Sequence, residues 1–201
     1  MTGTIDRKKF VTEILANRSE DLLVVSGLGS STYDVADIED NPRNFYLWGA
    51  MGQAVPVAIG LAVAQPDKRV LVITGDGEML MGLGALSAAG NAPVRNLAVL
   101  VLDNGHYSET GGQPTHTSGS TDIGGVAAQC GFKVTRAISD MDSISEIKSA
   151  LLDVDGPVMM VAKVALKTYG AIVEPQTRIG HYIAARFRMA TTDRGEVALD
   201  H

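Results

Sequence analysis

Hydrophobic and polar positions follow each other in blocks that predict strands and helices in alternation. Short runs rich in Val, Leu and Ile are typical of buried strands, and they occupy 21–26, 44–48, 70–75, 100–103, 132–136 and 156–163. Helical spacing occurs at 5–17, 53–64, 79–92, 123–130 and 143–152. This alternation predicts an α/β fold, a doubly wound and mostly parallel sheet with helices on both faces.

Polar groups stand where two of these predicted strands end. Asp76 follows the run 70–75, between Gly75 and Gly77, and Asn104 follows the run 100–103. The carboxyl ends of parallel strands are where open α/β sheets bind ligands. Carboxylate and carboxamide oxygens both suit a hard cation, so Asp76 and Asn104 are candidate metal ligands.

The same stretch favours phosphate as well as metal. Gly75 and Gly77 allow a sharp turn and a close approach of the backbone to a ligand. The N-terminus of the helix that follows is a favourable position for a phosphate group. Asp76 and Asn104 together carry one negative charge, and Mg²⁺ usually completes its coordination with water and substrate phosphates. The stretch therefore predicts Mg²⁺ bound together with a diphosphate.

These residues resemble the fingerprint of thiamine-diphosphate enzymes. The fingerprint consists of Gly75-Asp76-Gly77 followed, 28 residues after the aspartate, by Asn104 within Leu102-Asp-Asn-Gly. The resemblance implies three metal ligands, which are the side chains of Asp76 and Asn104 and the backbone carbonyl of His106. Many members have Asn where this chain has Asp103, but the ligand is the second residue of that pair.

Two further segments carry the resemblance. Gly49-Ala-Met51-Gly implies that the Gly49 carbonyl accepts a hydrogen bond from the cofactor and that Met51 supports its bent conformation. The Gly-rich turn 27–32 implies that Ser30 and Ser31 contact the diphosphate, although either serine could equally cap a helix. The full set of implied cofactor contacts is Ser30, Ser31, Gly49, Met51, Gly75, Asp76, Gly77, Glu78, Asn104, His106 and Tyr107.

A polar loop at 107–122 begins beside the predicted metal ligands. Loops of this length in compact domains are usually functional or disordered. We expect it to form a wall of the active site, with Glu109, Gln113 and His116 as candidates for substrate contact or proton transfer. His116 is the strongest of these candidates because imidazole titrates near neutral pH.

Composition excludes several other classes of protein. The 201 residues carry a net charge of −6 with no basic block, which argues against a nucleic-acid partner. The single cysteine excludes a disulfide framework and a cysteine-ligated cluster. No apolar run reaches the roughly 18 residues of a membrane helix, and the first residues do not resemble a signal peptide. We therefore expect no membrane partner and a cytoplasmic location.

The resemblance covers one of the two α/β domains that thiamine-diphosphate enzymes use. It implies that residues 1–165 bind the diphosphate and metal, and that a tail at 166–201 docks on a partner subunit, with 178–188 as a short helix. The aminopyrimidine-binding domain and its activating glutamate are expected from an α-type partner chain. We therefore predict the small β-type subunit of a hetero-oligomer, inactive alone.

Within the family, the segment 108–115 resembles the sulfopyruvate and phosphonopyruvate decarboxylases. This implies decarboxylation of a 2-oxo acid substituted at C3, giving an aldehyde and CO₂. Three alternatives stay open: a β subunit of a 2-oxoacid:ferredoxin oxidoreductase, a carboligase or acyltransferase using the same cofactor, and a regulatory subunit that only binds the cofactor. Aldehyde formation without an electron acceptor would separate the decarboxylase from the oxidoreductase.

Overall fold

A computed structural model describes residues 4–167 and 172–192. Its strands are β1 (Leu22–Ser26), β2 (Asn44–Tyr46), β3 (Arg69–Gly75), β4 (Leu97–Asp103), β5 (His106–Tyr107), β6 (Gln113–Pro114), β7 (Val134–Ile138) and β8 (Val158–Lys163). Six of them form one parallel sheet in the order β2-β1-β3-β4-β8-β7. All residues of β1 and β4 are buried, as expected for a parallel sheet covered on both faces.

Helices cover both faces of this sheet. They are α1 (Arg7–Leu15), α2 (Ser30–Ile38), α3 (Ala54–Ala64), α4 (Asp76–Met81), α5 (Ala85–Asn91), α6 (Ile123–Gln129), α7 (Ile144–Leu152) and α8 (Gly180–Thr191). Side chains alternate across a strand, so Leu22 and Val24 of β1 join a core with α1, α2 and α7. Leu23 and Val25 join a second core with α3, α5 and α6. The predicted doubly wound α/β fold is confirmed.

The sheet places the candidate site at a switch in strand order. The chain leaves β1 towards β2 on one side, and β3 pairs with β1 on the other. In open α/β sheets, such a switch leaves a crevice at the carboxyl ends of the two central strands. The loops that follow β1 and β3 therefore face each other across this crevice, and the loop after β4 lies beside them.

The prediction of one continuous helix at 79–92 is wrong. The segment 79–92 is divided into α4, which already begins at Asp76, and α5, with the interruption at 82–84. Gly82 lies against the backbone of Gly52, where a Cβ would come within 2.1 Å of the Gly52 carbonyl oxygen. The helix is therefore interrupted where the loop that carries Gly52 packs against it. The spacing of apolar residues alone does not reveal this contact.

The polar loop at 107–122 is more ordered than its composition indicates. β5 and β6 pair as an antiparallel hairpin, and one turn of 3-10 helix follows at His116–Ser118. The backbone N–H of Thr115 donates to the carbonyl of Gly105 at 2.8 Å, which ties the hairpin to the end of β4.

The C-terminal segment folds back on the domain through α8. Ile183 and Phe187 are buried, and the Phe187 ring meets Phe45 edge to face at a centroid distance of 5.4 Å. Arg186 forms an ion pair of 2.9 Å with Asp40. The expected docking of this tail on a partner subunit stays a prediction, and its end at 193–201 lies outside the described residues.

Candidate functional site

A cleft opens at the carboxyl ends of β1, β3 and β4. About 710 Å³ of empty space, part of it open to solvent, lies within it, a size typical of small-molecule sites. Its lining includes most of the cofactor contacts predicted from the sequence: Ser30, Ser31, Met51, Gly75, Asp76, Gly77, Glu78, Asn104, His106 and Tyr107. Glu109 lines it too. The structure thus brings together residues from four separate segments of the chain.

Asp76 lies at the first turn of α4, directly after β3, with 2% of its surface exposed. Its Oδ2 accepts hydrogen bonds from the hydroxyls of Thr115 at 2.5 Å and Thr117 at 3.0 Å. Burial raises the pKa of Asp76 above its ordinary value, and the nearby charge of Asp103 acts in the same direction. A cation at this carboxylate would relieve both effects, because it favours the ionised form.

Asn104 lies beside Asp76, since β3 and β4 pair with Gly75 opposite Leu102. Its Oδ1 accepts a hydrogen bond from the backbone N–H of His106 at 2.8 Å, and its Nδ2 donates to Ser108 at 2.9 Å. These contacts fix the orientation of the carboxamide. A carboxamide oxygen has two lone pairs, so Oδ1 retains one acceptor position for a metal ion.

The departure from the family pattern at Asp103 has a local compensation. Asp103 is buried, and one carboxylate oxygen forms an ion pair with Lys163 at the end of β8. The other oxygen accepts a hydrogen bond from Gly105 N–H at 3.0 Å and lies 2.8 Å from the Thr117 hydroxyl, whose single proton Asp103 shares with Asp76. Asp103 is therefore held as a buried, paired charge beside the predicted metal ligands, consistent with a structural role.

Two glycines allow close approaches around the Asp76 turn. A Cβ on Gly77 would lie 2.4 Å from the Tyr107 ring, so the ring rests directly on the backbone there. A Cβ on Gly27 would lie 1.6 Å from Glu78 Oε2. Only glycine fits at either position without displacement of its neighbour, and the loops after β1, β3 and β4 therefore pack tightly together.

Glu78 links two of these loops from a buried position. Its Oε2 accepts a hydrogen bond from Leu28 N–H at 3.0 Å, while Oε1 is buried with no partner in good hydrogen-bond geometry, and the Thr74 hydroxyl and Gly52 N–H nearby only partly stabilise the charge. Burial raises the pKa of Glu78 to about 7. A carboxyl group with an unsatisfied buried oxygen is costly for stability, and such positions are concentrated at functional sites.

The predicted phosphate contacts on α2 differ from each other. Ser31 is buried, whereas Ser30 lies at the mouth of the cleft and donates a hydrogen bond of 3.0 Å to Glu109. Gly29, with a φ of 75°, precedes the helix and lies against the Glu109 side chain. The Glu109 carboxylate thus lies at the N-terminus of α2, a position that favours negative charge.

Of the remaining predicted residues, Met51 lines the cleft, while Gly49 precedes it with a φ of 69° outside the lining. Gln113 and His116 are exposed on the hairpin and the 3-10 turn, and neither lines the cleft of this chain. Their catalytic roles stay predictions. Glu109 is the one of the three catalytic candidates that lines the cleft.

Sequence reasoning missed four residues of this region: Arg7, Thr115, Thr117 and Lys163. Each acts through a partner that is distant in sequence. Thr115 and Thr117 lie in the loop 107–122, which was expected to form a wall of the active site. Their hydroxyl groups, which can donate to a carboxylate, could have indicated a contact with Asp76. Arg7 and Lys163 carried no signal, because their positions on α1 and β8 are typical of ordinary surface charges.

The described residues hold no cluster of three or more His, Cys, Asp or Glu side chains that could bind a metal ion. A site with Asp76 as its acidic ligand fits Mg²⁺, which recruits further oxygens from bound phosphate. None of the helices in 4–167 and 172–192 is long and apolar enough to span a membrane.

Comparison with known proteins places this geometry in context. Residues 27–162 match the family described as thiamine pyrophosphate enzyme, C-terminal TPP binding domain. The phosphonopyruvate decarboxylase of Streptomyces viridochromogenes is 36% identical over 179 residues, which are 89% of this chain and 44% of that protein. The chain thus spans less than half the length of that relative.

Shorter relatives match over most of their own length. The sulfopyruvate decarboxylase subunit beta of Methanothermobacter thermautotrophicus is 40% identical over 139 residues, covering 69% of this chain and 71% of that subunit. The same subunit of Methanocaldococcus jannaschii is 37% identical, covering 72% of this chain and 77% of that subunit. The structure of benzoylformate decarboxylase from Polynucleobacter necessarius has a TM-score of 0.70 at 16% identity, covering 83% of this chain and 34% of that one, which shows a common fold.

Proposed function

The chain belongs to the thiamine pyrophosphate enzymes, and from this premise we propose that it is the β-type subunit of a 2-oxo acid decarboxylase. The proposed substrates carry a sulfonate or phosphonate group on C3, and the products are an aldehyde and CO₂. The observation that carries the proposal is the convergence of Asp76 and Asn104 at the ends of β3 and β4, inside the cleft. The choice of these substrates is supported by the relatives, which are named as phosphonopyruvate and sulfopyruvate decarboxylases.

In the proposed site, Mg²⁺ is held by Asp76, Asn104 and the carbonyl of His106. The chemistry of this set fits the ion, since all three donors are oxygens and only one is charged. Thr115 and Thr117 orient the Asp76 carboxylate through their hydroxyls. The remaining positions on the ion are left for water and the diphosphate of the cofactor.

Thiamine diphosphate supplies the nucleophilic carbon and the electron sink when bound, and the protein supplies position and electrostatics. Ser30, Ser31 and the Gly75–Glu78 turn face the diphosphate in this proposal. Met51 supports the body of the cofactor, and Tyr107 closes over Gly77. Residues 1–165 are proposed to form this binding domain.

The second half of the proposed active site belongs to an α-type subunit, which provides the aminopyrimidine-binding domain and the activating glutamate. The relatives named subunit beta support this arrangement. The outer face of α8 is a proposed docking surface for the partner. Tyr182 and Met189 are 52% and 77% exposed there, while Ile183 and Phe187 face the domain.

The test is reconstitution with the partner subunit, thiamine diphosphate and Mg²⁺. We expect CO₂ and aldehyde from 3-sulfopyruvate or 3-phosphonopyruvate without an electron acceptor, and slower turnover of pyruvate. Turnover that requires a low-potential acceptor would favour the alternative 2-oxoacid oxidoreductase, and condensation products would favour a carboligase. Robust turnover by this chain alone would contradict the split active site.

A further inference from the structure

Residues 172–192, here called the C-terminal arm, pack along β2, the edge strand of the sheet. The match to the thiamine pyrophosphate enzymes covers 27–162, so the arm lies outside the matched residues. Three aromatic side chains of β2 and its exit each contact one side chain of the arm. The pairs are Phe45 with Phe187, Tyr46 with Arg186 and Trp48 with Arg178. The arm therefore follows β2 to the point where the chain enters the turn 49–52 beside the cofactor cleft.

Asp40, which follows α2, holds the arm at two points. Its Oδ2 accepts a hydrogen bond of 2.9 Å from the backbone N–H of Gln176, and its Oδ1 accepts one of 2.9 Å from Arg186. The side chains of Asp40 and Arg186 are only 12% and 15% exposed, so salt screens this ion pair less than it screens a surface pair. The arm is thus fixed on both sides of Arg178.

The ring of Trp48 is contacted by both the arm and α2. Arg178 lies over it, with Cζ 4.6 Å from the ring centroid, which is the geometry of a cation–π contact. Tyr33 of α2 meets the same ring at a centroid distance of 5.9 Å. Arg178 also forms an ion pair with Glu174, four positions earlier in the arm. These contacts fix the position of the indole.

The position of Trp48 affects Met51 because little else holds the chain between them. Among the described residues, the last backbone hydrogen bond from this segment to the sheet runs from Leu47 N–H to the Ser26 carbonyl, at 3.1 Å. Only two residues separate Trp48 from Met51, and the first of them, Gly49, turns the chain with a φ of 69°. A displacement of the Trp48 ring is therefore passed on to Met51, which lines the cofactor cleft.

We propose that Arg178 is a positioning residue for the cofactor, which acts by fixing Trp48 and, through it, Met51. The inference rests on the proposed function, in which Met51 supports the body of thiamine diphosphate, and it gives the C-terminal arm a part in that site. The alternative is that the arm only covers the edge of β2, since an exposed edge strand can pair with other chains. The side chain of Arg178 is 50% exposed, so its replacement tests positioning without uncovering the strand.

The experiment is calorimetry on the assembled complex with two ligands, thiamine diphosphate and inorganic diphosphate, each with Mg²⁺. We expect Arg178→Gln to weaken thiamine diphosphate about 2- to 5-fold, the range of a partly exposed cation–π contact. Inorganic diphosphate should bind as to the wild type, because it lacks the part of the cofactor that Met51 supports. Arg178→Lys keeps a cation at this position and should recover most of the affinity.

Tryptophan fluorescence gives a second readout, because Trp48 is the only tryptophan of this chain. Difference spectra between wild-type and variant complexes cancel the emission of any tryptophan in the partner. We expect Arg178→Gln to change the emission of Trp48, and Arg178→Lys to change it less. Arg95→Gln is the matched control, since Arg95 is exposed, pairs with Asp155 and precedes β4, at the edge of the sheet opposite the cleft. It should leave both the emission and the affinities unchanged.

Unchanged affinity for thiamine diphosphate in Arg178→Gln would overturn the inference, even if thermal stability fell. An equal loss for inorganic diphosphate would overturn it as well, because the whole site would then be disturbed. Neither result bears on the decarboxylase proposal, which fails separately if the wild-type complex binds thiamine diphosphate but releases no CO₂ from any 2-oxo acid. Failure of the wild-type complex to bind thiamine diphosphate would contradict the cofactor site and this inference with it.

Discussion

The hydroxyl of Thr115 donates a hydrogen bond of 2.5 Å to the carboxylate of Asp76, 39 positions earlier in the chain. Thr115 is buried and follows the β5–β6 hairpin, while Asp76 begins α4. The hairpin after β4 therefore controls the orientation of a predicted metal ligand at the end of β3. The polar loop acts on the site through this contact, in addition to forming its wall.

Replacement of Thr115 by Val should weaken the Mg²⁺-dependent binding of thiamine diphosphate by about 10-fold. The variant keeps the shape of the side chain but loses the hydrogen bond, and such supporting contacts typically change metal affinity 10- to 100-fold. Calorimetry on the assembled complex measures the effect. Thr12→Val, which removes a hydroxyl from the outer surface of α1, serves as the control. Equal affinities for both variants would contradict the orienting role of Thr115.

Removal of either predicted side-chain ligand should have a larger effect. Asp76→Ala and Asn104→Ala are each expected to weaken cofactor binding by roughly 100-fold, the scale of about 3 kcal/mol. Added Mg²⁺ should tighten binding to the wild type and much less to the variants. Asp21→Ala is the comparison, because Asp21 is exposed and paired with Lys68 far from the cleft. Unchanged affinity in both ligand variants would remove the basis for the metal site.

The contact between Gly52 and Gly82 gives a prediction about the loop that carries Met51. In Gly82→Ala, the new methyl group would lie 2.1 Å from the Gly52 carbonyl oxygen, and the expected loss of stability is about 1–3 kcal/mol. The Met51 loop would shift, so affinity for the cofactor should fall too. Gly84→Ala is a matched control, since nothing lies within 4 Å of the position that its new methyl group would take. Chemical denaturation and calorimetry compare the two variants.

Features that depend on neighbouring residues in the sequence were predicted, whereas features that depend on residues distant in the sequence were missed. The apolar runs of β3 and β4 and the Gly75-Asp76-Gly77 turn were predicted because each is a local pattern, and the family match confirms the resemblance. The interruption before α5 was not predicted, because it coincides with a contact to Gly52, thirty residues away. The same holds for Thr115, Lys163 and Arg7, whose roles depend on partners that only the folded chain brings near.

From the ion pair between Asp103 and Lys163, we predict that loss of the lysine destabilises the fold and that neutralising the aspartate restores stability. Lys163→Met leaves the buried Asp103 carboxylate without its cation, and we expect a loss of about 1–3 kcal/mol in the free energy of unfolding. Addition of Asp103→Asn should recover most of this loss, because no buried charge then remains unpaired. Urea denaturation of both variants and the wild type measures the recovery. A double variant less stable than Lys163→Met would show that Asp103 is needed for another reason.

Glu78 predicts a specific pH dependence of stability in the absence of Mg²⁺ and cofactor. Burial raises its pKa from an ordinary value of 4.5 to about 7, so between these values the native state binds a proton that the unfolded state has released. The free energy of unfolding therefore falls as pH rises, by up to about 3 kcal/mol between pH 4.5 and pH 7 or slightly above. Glu78→Gln has no ionisable group at this position, so its free energy of unfolding should lose that part of the dependence on pH.

Denaturation curves of wild type and variant between pH 5 and pH 8 isolate the effect, because Asp76 and every other carboxyl group are common to both. Parallel stability profiles would mean that the Glu78 carboxyl ionises in the native state as readily as in water, and the unsatisfied Oε1 would then need solvent access.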